Sequence, residues 1–224
     1  MKKTLLAIIL AACTTSAFAA ETAVLKVKGV LTNAACSPTL SNSGVVDYGT
    51  IHLSELSDSA VNQLGQKTID LTITCDAATK VSWHLEDNRV DSRAGITVDN
   101  GDAAGGAVSD TDKTYGVGLT ADGVAIGNYS LFVKTANVLA DGESVDTIVM
   151  DGNNNVWSKS ANGLTAGQNN RDITVATAGT MEPLPFTSAT FPLATSLAIQ
   201  DTKTLAITDD TDLDGQVTIS LRYL

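Results

Sequence analysis

Nowhere does the sequence hold an uninterrupted apolar run of about 18 residues, the length that a bilayer-spanning helix requires, so no stop-transfer segment is expected in its 224 residues. Aromatic residues make up 4% and charged residues 17%, too few of either for a helical enzyme. Positive charge is also scarce, with 14 Lys and Arg against 25 Asp and Glu. A surface of that sign repels nucleic acid and anionic membranes, which argues against both as partners. There is no G-x-S-x-G, no phosphate-binding glycine loop and no H-E-x-x-H, and so no nucleophile elbow, nucleotide cradle or zinc helix. The two histidines are His52 and His84. In "VSWHLED" the residues Val81, Trp83 and Leu85 share one face and His84 falls with Ser82 on the other, so a solvated strand histidine is expected. No catalytic residue and no cofactor are assigned.

What is present begins with Lys2 and Lys3, an apolar run from Leu5 to Ala12, and small residues ending Ala17-Phe18-Ala19. This is the layout of a secretory signal peptide, with cleavage expected after Ala19. The alternative is a lipoprotein signal, since Leu10-Ala11-Ala12-Cys13 would make Cys13 the acylated first residue of a lipid-anchored envelope protein. Removing residues 1–19 leaves 205 residues with 12 basic and 25 acidic side chains, a net charge of −13. Cys36 and Cys75 are then the two remaining cysteines, and in an oxidising compartment they are expected to form a disulfide. The loop it closes is about 40 residues, for which chain entropy gives roughly 4 kcal/mol.

Strand-like runs recur along the chain: "AVLKVKGVLT" (23–32), "VVDYGTI" (45–51), "KTIDLTITC" (67–75) and "KVSWHLED" (80–87). They continue through "AGITVD", "TYGVGLT", "VAIGNYSLFVK", "VDTIVM", "VWSKS", "RDITVAT" and "TSLAIQ" to the final "GQVTISLRYL". Turn signals such as Asp122-Gly123, Asp141-Gly142 and Asp151-Gly152 separate them. The pattern predicts one all-β sandwich domain over residues 20–224. The small acidic stretch 99–113 and the stretch 160–170 read as mobile surface loops. One helical turn is expected within 54–64.

Near the end, "DTDLDGQVTISL" places Asp210, Asp212, Asp214 and Gly215 where a calcium loop would have them, but Leu221 stands where its bidentate glutamate should be. A solvated acidic turn is expected and no metal. In the last strand Val217, Ile219, Leu221 and Tyr223 alternate with Thr218, Ser220 and Arg222, four large apolar groups on one face and three polar ones on the other.

"KGVLTNAACSPTL", "DYGTI" and "IDLTITCDA", together with the alternating end and its penultimate tyrosine, resemble a chaperone-usher fimbrial (pilin-like) subunit. The branch it is most similar to is labelled β-fimbriae probable major subunit or left as a domain of unknown function. The resemblance runs from about residue 23 to the end and is strongest at both termini. It implies an immunoglobulin-like, pilin-type sandwich that lacks its last strand, is completed by a donor strand, and is enlarged here by inserted loops and a hairpin. Cys36 and Cys75 occupy the places of the family's disulfide. Val217, Ile219, Leu221 and Tyr223 would face the groove, and Leu224 would carry the carboxylate that a periplasmic chaperone anchors before the outer-membrane usher and the next subunit replace it. Backbone pairing gives such complexes affinity and alternating side-chain pockets give them specificity. The expected role is a structural subunit of a surface fimbria serving cell adhesion.

The sequence departs from the family in two places. A donor strand needs on the order of ten extended residues, yet only Ala20, Glu21, Thr22 and at most Ala23 precede the first strand, so either residues 20–30 serve as donor or the subunit accepts a strand without giving one. The second choice implies a tip adhesin that binds a glycan or protein receptor through the loops of 99–170 and Trp157. The family's glycine about fourteen residues from the end is also replaced, by Thr211.

Overall fold

The computed structural model describes residues 35–152 and 154–224. The signal sequence, Cys13, the segment 20–30 and the strand expected at 23–32 lie outside the described residues. A compact unit spans Ala34–Leu224. Its strands are β1 (Cys36–Leu40), β2 (Asn62–Thr79), β3 (Val81–Asp87), β4 (Thr114–Gly116), β5 (Gly127–Val133) and β6 (Leu139–Ala140). They continue with β7 (Glu143–Ser144), β8 (Asp146–Asp151), β9 (Ser158–Lys159), β10 (Arg171–Ala176), β11 (Phe186–Ile199) and β12 (Val217–Tyr223). A short α-helix, α1 (Thr202–Leu205), is capped by the Asp201 side chain, which accepts from the Thr204 N–H at 2.9 Å.

The strands form two antiparallel sheets. The first runs β1-β2-β11-β5-β4, with β6 paired to β11 and β7 to β6, and the second runs β12-β3-β10-β8-β9. The expected immunoglobulin-like sandwich is therefore what forms. Alternation explains the layering: Leu71 and Ile73 of β2, Phe191 and Leu193 of β11, Trp83 and Leu85 of β3 and Ile173 and Val175 of β10 all point between the sheets and are buried. Trp83 and Phe191 meet edge to face across the layer, with ring centroids 5.5 Å apart. β11 carries Pro192 in the middle of a sheet. Both main-chain sites of residue 192 point toward β5, whose ladder begins one residue later at Leu193. The Pro192 carbonyl takes the Lys134 N–H at 2.8 Å, and the absent N–H leaves nothing unpaired.

The stretches 99–113 and 160–170 correct the expectation of mobile loops. Val98 and Val108 bond to each other in both directions, and the Asn128, Gln63 and Gln66 side chains bind the main chain at Ile96, Thr97 and Asn100. Val108, Leu164, Phe132 and Ala194 make a second small core on the outer side of the first sheet. The turn expected in 54–64 appears as a single 3-10 turn at Leu53–Glu55, and residues 45–51, expected as a strand, join no ladder among the described residues.

Candidate strand-acceptor groove

β12 pairs with β3 from Val217↔Asp87 to Tyr223↔Val81, and with no other described strand. Its exposure identifies this edge as the place where the core is open. On β3 the inward residues Val81, Trp83 and Leu85 are completely buried. One ladder step outward, Val217, Ile219 and Leu221 point the same way and are only partly buried, while Thr218, Ser220 and Arg222 face solvent. The structure thus aligns three of the sequence-predicted residues, Val217, Ile219 and Leu221, along one side of a groove that no described strand fills. Tyr223 stands apart. The residue is 55% exposed, and its hydroxyl accepts the Cys36 N–H at 2.9 Å. Leu224 is exposed, and its N–H donates to the Lys80 carbonyl at 3.1 Å.

The opposite wall comes from β1 and the extended segment after it. Cys36 and Cys75 are directly opposed in the β1–β2 ladder and form the expected disulfide, with their Cα atoms 4.0 Å apart. β1 leaves the sheet after Leu40 because Asn42, Ser43 and Gly44 adopt left-handed backbone angles of φ 48°, 53° and 80°. Gly accepts such angles without cost, and Asn is the next most tolerant residue. The chain then runs along the groove through residues 45–51, turning Val46 and Tyr48 inward and Val45 and Asp47 outward. The Tyr48 hydroxyl lies 2.9 Å from Thr195 Oγ1 and 3.3 Å from the Gly65 carbonyl oxygen. Burial raises the Tyr48 phenol above its ordinary pKa, and the bond to Thr195 offsets part of that. Sequence reading did not single out Tyr48 as a functional residue, although the alternation of Val46 and Tyr48 marks a half-buried extended segment.

Between these walls lies a cavity of about 1020 Å³, floored by Ile69, Leu131, Leu193, Leu197 and Ile199. Asp47, Asp209, Asp210 and Asp212 line it as exposed side chains. Of the calcium-loop candidates, Asp214 is held in a two-point ion pair by Arg89, at 2.8 and 3.1 Å, and its N–H donates to the Val117 carbonyl. Asp210 and Asp212 lie at the groove mouth, and among the described residues no three His, Cys, Asp or Glu side chains converge on a metal-binding point.

His84 differs from expectation. Its side chain is 12% exposed, and Nδ1 lies 3.3 Å from Asp172 Oδ1. Asp172, itself 4% exposed, also accepts from Ser82 Oγ at 3.1 Å and pairs with Arg222. That carboxylate comes from β10, two strands from β12, and not from the neighbouring Glu86 or Asp87. Trp157 sits partly buried at the end of the β8–β9 hairpin loop, beside the exposed Val156.

Fold and groove together define an all-β sandwich in which, among the described residues, the last strand pairs on one side only and borders an apolar furrow. The chain belongs to the family described as "Protein of unknown function (DUF1120)", whose model matches residues 25–130. It is 31% identical to "Uncharacterized protein YhcF" of Escherichia coli (strain K12) over 224 residues, covering 93% of each chain. It is likewise 31% identical to "Protein GltF" of the same organism over 222 residues, 89% of this chain and 87% of that one. Among solved structures, "Crystal structure of the P pilus rod subunit PapA" is similar at a TM-score of 0.36 and 12% identity, over 84% of this chain and 99% of that chain.

Proposed function

We propose that this protein is a structural subunit of a bacterial surface fimbria, completed by a strand from another protein. The observation that carries this reading is the edge of β12 that no described strand pairs, beside an apolar groove, with Val217, Ile219 and Leu221 left half-covered. An extended segment laid along that edge would satisfy its main-chain groups and cover its side chains at once, which is the logic of strand addition. Tyr223 and Leu224 continue the acceptor edge beyond the groove. Export through the periplasm follows from the leader, and there a chaperone would lend the missing strand until the outer-membrane usher passes the subunit to a neighbouring one. No enzymatic activity is proposed.

The position of β1 bears on whether the subunit can also give a strand. The first paired strand of the described sandwich starts at Cys36. In sequence, residues 20–33 precede it, and if they serve as donor they are long enough for the roughly ten extended residues required. That length favours a shaft subunit over a tip adhesin.

Native mass spectrometry of the protein from periplasmic extract tests the reading, alongside an Ile219→Lys variant. The expected result is a one-to-one complex with a chaperone-sized protein for the parent and its loss for the variant. A folded, uncomplexed parent monomer would overturn the proposal.

A further inference from the structure

Resting on the strand-acceptor reading, we propose that the Tyr223 side chain is a displaceable clasp, which shuts one end of the groove by occupying a main-chain site of β1 that an inserted strand would use. Two hydrogen bonds fix which main-chain groups of β12 face outward. The Asn88 N–H donates to the Gln216 carbonyl and the Leu224 N–H to the Lys80 carbonyl, so in this antiparallel ladder the even-numbered residues turn their main chain toward β3. The main-chain groups of Val217, Ile219, Leu221 and Tyr223 therefore point to the edge that no described strand pairs. On β1 the Asp76 N–H donates to the Ala35 carbonyl. By the same alternation Ser37 and Thr39 turn toward β2, and Cys36, Pro38 and Leu40 turn away from it. Pro38 has no N–H to offer a strand, and the Cys36 N–H is taken by the Tyr223 hydroxyl at 2.9 Å.

The two walls converge at this bond. The cavity touches Leu40 of β1 and Val217 and Ile219 of β12, but not Cys36, Leu221 or Tyr223, so it ends short of the disulfide. Cα atoms of β1 and β12 come within 8 Å of each other, closer than the two strand spacings, about 9.6 Å in all, that a strand between them takes. Pairing along the whole of β12 therefore requires this end to open. The β12 backbone there has anchors other than Tyr223: Arg222 pairs with Asp172 on the outer face, and the Leu224 N–H is bound to Lys80. Tyr223 is exposed, so its ring can swing aside without emptying the core or releasing the strand. A strand that reaches Tyr223 brings a carbonyl to the Cys36 N–H, and the hydroxyl passes to water. In the empty protein the clasp satisfies a donor on an otherwise unpaired edge. On insertion it is a bond that must first be given up, and it opposes the strand by its own worth.

Titration of the full chain with a labelled peptide of residues 20–33, beside the same titration of a Tyr223→Phe variant, tests the clasp. Removing the hydroxyl deletes the contact that competes with the strand, and is expected to tighten binding about threefold to tenfold, the worth of one neutral hydrogen bond. Amide exchange in the free proteins isolates the contact itself. The Cys36 N–H is expected to exchange faster in the variant by about the same factor, while Ser37 and Thr39, whose amides face β2, stay unchanged. Equal or weaker peptide binding by the variant, or an unchanged Cys36 amide, would overturn the clasp and leave the groove as an acceptor. If the peptide slows exchange of the outward-facing Ile219 N–H in neither protein, the acceptor reading itself falls, and the clasp with it.

Discussion

Asp87 sits at the end of β3, almost wholly buried, with one oxygen accepting the Arg89 N–H at 2.8 Å and the other the Gly116 N–H at 3.1 Å. Burial raises its pKa above the ordinary 3.8, and the two N–H donors with the Arg93 and Arg89 charges offset only part of that. A carboxyl raised on folding stabilises the protein fully below 3.8, and the contribution is lost as pH rises through the raised value. The stability of the parent relative to Asp87→Asn is therefore expected to fall as pH rises above 3.8. Urea midpoints of the two proteins across that range check it, and a flat or rising difference would show that Asp87 is not raised. The cluster around Asp172 shows what sequence cannot supply at this scale. His84 and Asp172 are 88 positions apart, and only the order β12-β3-β10 makes them, Ser82 and Arg222 neighbours on one face.

At the scale of elements, periodicity revealed those strands whose apolar residues alternate. "KTIDLTITC", "KVSWHLED", "RDITVAT" and the final run all lie within or closely match strands. It was silent where a strand's character depends on its neighbours. The first half of β11 was missed because Pro192 and a run of Ser and Thr look like a loop until the end of β5 accommodates the proline. Residues 45–51 alternate like a strand yet join no ladder among the described residues, because the left-handed turn at 42–44 carries them off the sheet. The stretches 99–113 and 160–170 hold single apolar residues among Gly, Asp and Asn, with no period to detect. Leu164 nevertheless packs on Phe132 and Val108 at 5% exposure. Leu164→Ala is expected to cost roughly 2–5 kcal/mol, the range for emptying a packed site, read from the urea midpoint. A loss below about 0.5 kcal/mol, typical of surface substitutions, would mean that the stretch is the loose loop its composition suggests.

For the whole molecule the open edge is a thermodynamic statement. Among the described residues Val217, Ile219 and Leu221 stay half-covered beside a cavity of about 1020 Å³, burial that the proposed strand would complete. An inserted strand with three large apolar residues restores it at roughly 1.5–3 kcal/mol for each side chain fully covered. Ordering the segment opposes this by about 1–2 kcal/mol per residue, which main-chain pairing on β12 must help offset. A covalent link removes most of the cost of association, because the strand's effective concentration no longer depends on protein concentration. Appending residues 20–33 after Leu224 through a short Gly/Ser linker is therefore expected to raise the melting temperature by roughly 10 °C or more, at about 2–4 °C per kcal/mol for a domain of this size. In the control, Leu25, Val27 and Leu31 of the appended copy are replaced by Ser, which keeps its length, linker and lysines. A rise confined to the unaltered segment would come from apolar filling of the groove, and an equal rise in both would come from the tether or the lysines. No rise in either would mean that the described sandwich is already complete, with the half-burial of β12 belonging to an ordinary edge strand.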